Sequence, residues 1–126
     1  MASRIMYPTQ ALNLDTAILG GVALVDDSSA SVVAGRGYSI EKTGTGLYRI
    51  NLEDKWNQLI WANFTVDVKG GSAADLVPQI LNHNIGSTDG VHWIDVHLLT
   101  VATATDPSAP VDIHFNLFLS NTSVPQ

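Results

Sequence analysis

Four histidines, His83, His92, His97 and His114, are the first residues of this chain whose side chains suit chemistry. Imidazole nitrogens ligate divalent ions and move protons near neutral pH. The two best-patterned segments, 91–100 and 111–120, are expected to pair antiparallel, and one register sets His97 opposite His114 and Asp95 opposite Asn116. With Asp95 and Asp112 nearby, such a pair has donors for Zn²⁺ or another divalent ion. No HxxxH or HxH spacing accompanies it. The expectation is therefore two structural histidines on the polar face of a hairpin, with no metal and no cofactor.

Other catalytic patterns are missing from the sequence. It has no cysteine and no GxSxG elbow, so neither a thiolate nor an α/β-hydrolase serine is available. Paired carboxylates for glycoside hydrolysis would have to come from Glu41, Glu53 and the aspartates. Asp26-Asp27 and Glu53-Asp54 fall in expected turns, where solvated or capping roles are usual. Gly35-Arg36-Gly37 and Gly44-Thr45-Gly46 lack the strand–loop–helix context of a phosphate loop. Asn63-Phe64-Thr65 and Asn121-Thr122-Ser123 match the glycosylation sequon, but the first residues show no apolar signal segment. The expectation is a protein that is not an enzyme. A small lyase or hydrolase acting through His97 or His114 is the enzymatic alternative.

The elements that must position these residues read as strands. Thr16–Val25 is β-like, and Gly20-Gly21 suggests a bulge or bend. Segments 38–43 and 47–52 flank Gly44-Thr45-Gly46, a hairpin signal. Tyr38 and Ile40 can then share a face with Tyr48, Ile50 and Leu52, leaving Glu41, Lys42 and Arg49 to solvent. In 59–68, Ile60, Ala62, Phe64, Val66 and Val68 point one way; Leu59, Trp61, Asn63, Thr65 and Asp67 point the other. Segment 76–83 is a further strand, which Pro78 demotes to an edge or a bulge. Ile94, Val96 and Leu98 oppose Trp93, Asp95 and His97. Val111, Ile113, Phe115, Leu117 and Leu119 form the cleanest apolar face. At most a turn or two of helix fits near 73–76. Short strands with regular turn signals predict an all-β sandwich or jelly roll, one domain over 16–126. Residues 1–15, with Pro8 and no apolar period, read as an extended N-terminal arm.

Trp61 and Trp93 fall on the mixed faces of their strands. Large rings mixed with polar residues and few charges suit a subunit interface, and a covering second sheet would serve as well. Trp61, Trp93, His97 and His114 are the expected interface residues.

Composition narrows the function classes. Charged residues are 14% of the chain, against a usual share of about 25%, and hydrophobic residues are 45%, the opposite of a disordered profile. The net charge of −6 and scattered Lys42, Arg49, Lys55 and Lys69 argue against a nucleic-acid groove. No apolar run approaches the roughly 20 residues of a spanning helix, so no membrane is expected.

Several strings read together resemble a known family. They are Met1-Ala2-Ser3-Arg4 with the arm, Val33-Ala34-Gly35-Arg36-Gly37-Tyr38-Ser39-Ile40 running into Thr43-Gly44-Thr45-Gly46-Leu47-Tyr48-Arg49-Ile50, and Val111-Asp112-Ile113-His114-Phe115 with Leu119-Ser120-Asn121-Thr122-Ser123-Val124. The pattern resembles small capsid decoration (cement) proteins of tailed bacteriophages over most of 33–124. The resemblance implies a jelly-roll-like β-sandwich that forms homotrimers on the capsid exterior of a virion assembled in the host cytoplasm. Its partner would be the major capsid protein lattice, which it stabilises. By position, the arm with Ile5, Met6 and Tyr7 would run along the capsid. Tail-fibre and baseplate modules use the same TGTGLY-type hairpin. In that alternative a host glycan or receptor is recognised through Trp61, Trp93, Asn82, Asn84 and Asp89.

Overall fold

A computed structural model describes residues 16–68, 76–87, 90–100, 103–107 and 109–120. The described strands are β1 (Thr16–Val25), β2 (Ala30–Gly35), β3 (Tyr38–Gly44), β4 (Leu47–Leu52), β5 (Gln58–Asp67), β6 (Val77–His83), β7 (Trp93–Thr100), β8 (Thr103–Ala104) and β9 (Val111–Ser120). They form two antiparallel sheets stacked as a sandwich. Sheet A has the order β2-β1-β9-β5; sheet B has the order β3-β4-β7-β6, with β8 pairing the end of β7. Among the described residues no helix is long and apolar enough to cross a membrane. The arm and most of the possible turn of helix at 73–76 lie outside the described residues.

The core follows from alternation. On β9, Val111, Ile113, Phe115, Leu117 and Leu119 are all buried. On β7, Ile94, Val96 and Leu98 meet them from the other sheet, with Tyr48, Ile50 and Leu52 of β4 alongside. Side chains two residues apart share a strand face, so each strand presents one apolar row inward.

The expected pairing of 91–100 with 111–120 is corrected. β7 belongs to sheet B and β9 to sheet A, so their apolar rows face each other across the core. Adjacent strands in sequence usually pair, but here the chain after β8 crosses between the sheets. β2 is a strand the sequence pattern does not announce. It is an edge of sheet A, and its Val32, Val33 and Ala34 are all exposed, so it has no buried row to show as alternation. β6 is also an edge, as Pro78 requires, and its register shifts between Ile80 and Asn82.

Two face assignments also change. A bulge between Leu59 and Trp61 inverts the local parity of β5. Leu59 therefore packs on the core while Ile60 is 41% exposed. Lys42, expected in solvent, sits opposite Tyr48 on the inward row. Its ammonium lies over the Tyr48 ring and pairs with Asp106.

Asp106 closes the β3–β4 hairpin. Its Oδ1 accepts the Gly46 N–H at 2.7 Å and the Lys42 ammonium, which also donates to the Gly44 carbonyl at 2.7 Å. Gly46 has φ +65, and a Cβ there would press on the Thr105 backbone. The Lys42 hydrogen bond first, then the Gly46 N–H, hold the Asp106 carboxyl below its ordinary value of 3.8. A carboxyl with a lowered folded pKa stabilises the fold above the unfolded value, and that contribution disappears as pH falls through the folded one. Asp106→Asn should therefore lower the urea midpoint at neutral pH, and its deficit should shrink in acid below the unfolded value. A deficit constant across that range would show that shape, not charge, is what Asp106 supplies.

Candidate functional site

The residues facing away from the core on sheet A form four cross-strand rows. Leu24, Asp112 and Asp67 make the first; Val22, His114 and Thr65 the second; Gly20, Asn116 and Asn63 the third; Ile18, Phe118 and Trp61 the fourth. The third row has no side chain at Gly20. A cleft of about 350 Å³ opens there, walled by Ala34 and Gly35 of β2 on one side and by Asn63, Thr65 and His114 on the other.

Chemistry differs along this face. In the fourth row, Trp61 is 52% exposed and is held edge-on by Phe118, with ring centroids 5.2 Å apart and an interplanar angle of 85°. In the middle rows, Asn63, Thr65 and Asn116 are exposed, uncharged polar groups. At the far end Asp67, Asp112 and His114 bring ligand-type atoms within 4.8 Å of one another. His114 Nε2 lies 3.3 Å from Asp67 Oδ2. Two carboxylates and an imidazole match the donor preferences of several divalent ions. The contact between His114 and Asp67 also accounts for their closeness as an exposed ion pair whenever the imidazole is protonated.

The expected histidine pair does not exist. His114 lies opposite Val22 and Thr65 on sheet A, whereas His97 lies opposite Leu47 and Gln79 on sheet B. The carboxylate beside Asp112 and His114 is Asp67, not Asp95. Asp95 instead forms a two-pronged ion pair with Arg49, at 2.7 and 3.1 Å. The same guanidinium caps the Trp93 ring at 4.1 Å. Trp61 and Trp93 thus lie on the outer faces of opposite sheets and share no surface.

The loop residues of the glycan alternative have local duties. Asn84 accepts the Trp93 N–H at 2.6 Å and donates to the Val91 carbonyl at 2.9 Å, and Asn82 Oδ1 accepts the His83 N–H at 2.9 Å. Asp89 and the arm residues Ile5, Met6 and Tyr7 lie outside the described residues.

His92 is among the four histidines picked out in the sequence, but its place in the fold could not be read there. It is buried, Nδ1 accepts the Trp56 N–H at 3.0 Å, and Nε2 lies 2.8 Å from the Ser87 carbonyl. A donor on one nitrogen and an acceptor facing the other assign the neutral Nε2–H tautomer. This histidine ties two loops together. The only signal in the sequence was its place between Val91 and Trp93, next to an apolar strand. No family model matches the chain, and no curated protein or solved structure matches it.

Proposed function

We propose that this chain is a non-enzymatic structural subunit that works by covering its sheet edges with partners. The carrying observation is the chemistry of the edges. Among the described residues, β2, β5 and β6 are edge strands. They contain no Lys, Arg or Glu, and Asp67 at the end of β5 is their one acid. They expose Val32 (42%), Val33 (56%), Ile60 (41%), Val77 (53%) and Leu81 (53%). Edge strands that stay solvent-exposed are normally guarded by charge, because unpaired backbone groups beside apolar side chains recruit further chains. Bulges bend β5 and β6 here, but no cation guards either.

Together with the resemblance to capsid decoration proteins, this supports a homotrimer attached to a major capsid protein lattice on a virion exterior. A jelly-roll-like description belongs to the same proposal. As in a jelly roll, the first and last strands pair within one sheet, while here the β1–β2 and β3–β4 hairpins each stay within a sheet. The interface placed earlier on Trp61, Trp93, His97 and His114 moves, in this proposal, to the edges.

The test joins light scattering with binding to undecorated phage heads. Native protein should be trimeric and should saturate heads at many copies. Ile60→Asp combined with Leu81→Asp should yield a folded species of lower mass and lower occupancy. A native monomer that leaves heads bare would overturn the proposal. Deleting residues 1–10, which carry Ile5, Met6 and Tyr7, should leave the trimer intact and weaken head binding. Equal occupancy would remove the arm from attachment.

A further inference from the structure

We propose that the outer face of sheet A binds a neutral oligosaccharide, which stacks on Trp61 and hydrogen-bonds in the cleft beside it. Sugar recognition needs two things close together: a flat apolar surface for the C–H face of a pyranose, and uncharged groups that both donate and accept for its hydroxyls. The fourth row supplies the first. Trp61 offers a half-exposed ring whose orientation Phe118 fixes, so little side-chain freedom is lost when a ligand lands on it. The third row supplies the second. Asn63 and Asn116 are Cα partners on neighbouring strands, and each amide has donors and an acceptor. Among the described residues, neither amide nor the Thr65 hydroxyl has a side-chain hydrogen bond to the protein. Their polar groups are free to be exchanged from water to a ligand.

Spacing and charge select the ligand class. Rows on one strand face repeat about every 7 Å, so a short oligosaccharide reaches from the Trp61 ring into the Gly20 cleft. The four rows contain no Lys or Arg, and Asp67 and Asp112 close one end beside His114. With a net charge of −6, the face repels phosphates, nucleic acids and acidic glycans. The carboxylates can still accept hydrogen bonds from neutral hydroxyls. Gly20 keeps the floor open. A Cβ there would meet Asn116 Oδ1 at 2.8 Å, so a larger side chain fills the cleft at the point of recognition.

The experiment is a titration of ¹⁵N-labelled full-length chain, in turn, with cellohexaose, maltohexaose and N-acetylchitohexaose, with a hyaluronan hexasaccharide as the acidic control. At least one neutral glycan should give saturable shifts at the Trp61 indole and at the Asn63 and Asn116 side-chain amides, and hyaluronan should give none. Trp61→Ala and Asn116→Ala should each weaken binding about tenfold, with melting unchanged. Gly20→Val should abolish the shifts. If Gly20→Val does not fold, the two alanine variants decide alone. Absence of saturable shifts with all three glycans would overturn the proposal. So would equal binding of hyaluronan, or binding that survives both alanine variants. None of these outcomes bears on the sheet-edge assembly, which light scattering reads separately.

Discussion

Replacing Leu117 with alanine should lower the free energy of unfolding by about 2–5 kcal/mol, the range for truncating a fully packed aliphatic side chain. Leu117 has 0% exposure and lies on β9, which pairs with β1 along its whole length and with β5 from Asp112 to Ser120. Its neighbours in the sheet are Leu19 and Ala62. Tyr38, Ile94 and Val96 of sheet B belong to the same buried cluster. Because groups anchored in both sheets surround it, the vacated space cannot collapse easily, and the residual cavity adds to the lost transfer energy. Total stability of a domain this size is about 5–15 kcal/mol, so a substantial fraction is at stake. Asn116→Ala, one residue away on the outer face, should stay within about 0.5 kcal/mol of the native protein. Urea unfolding of both variants checks this. A Leu117→Ala midpoint equal to that of Asn116→Ala, at unchanged slope, would mean that β9 does not hold the core.

What could be read in advance was the face of a side chain, because alternation is local. The apolar rows of β4, β7 and β9 and the glycine turn after β3 needed only neighbouring residues to declare themselves. The partner of a strand is a different matter. Val111, Ile113 and Phe115 make equally good inward rows whether β9 lies beside β7 or across from it, and only the crossing of the chain after β8 decides. Parity is also lost at a bulge. One extra residue at Ile60 turns an apparent core position outward, and nothing in Leu59-Ile60-Trp61 marks it. The candidate site depends on both kinds of hidden information. Asp67 joins Asp112 and His114, and Asn63 faces Asn116, only because β5 pairs with β9. Gly20 opens the cleft only because Asn116 is its opposite number. Lys42 is a different case: alternation with Tyr38 and Ile40 already points it inward, and only the partner that lets a charge lie there, Asp106, is hidden, 64 positions away.

Gly21→Ala should cost about 2–4 kcal/mol, through overpacking compounded by damage to a buried hydrogen bond. A Cβ at Gly21 would lie 2.5 Å from Tyr38 Cε1, 2.6 Å from its hydroxyl oxygen and 2.7 Å from Cζ. The ring cannot step aside. It is 5% exposed and meets Phe115 edge-on at 4.9 Å. Its hydroxyl shares one proton between the Val22 and Ala34 carbonyls, at 2.9 and 2.8 Å, which lie at the register shift between β1 and β2. Tyr38 thus reaches from sheet B to pin the bulged edge of sheet A, and Gly21 is the gap it passes through. Moving the ring breaks that pin as well as crowding the core. Gly20→Ala is the control, since its added carbon meets chiefly the mobile tip of Asn116, and it should be nearly neutral. A double-mutant cycle separates the two costs. Tyr38→Phe alone should lose about 1 kcal/mol for the hydroxyl. Combined with Gly21→Ala it should lose less than the two single changes together, because the oxygen is one of the atoms in collision. Strict additivity of the two changes would mean that Gly21 is needed for its backbone and not for the space beneath Tyr38.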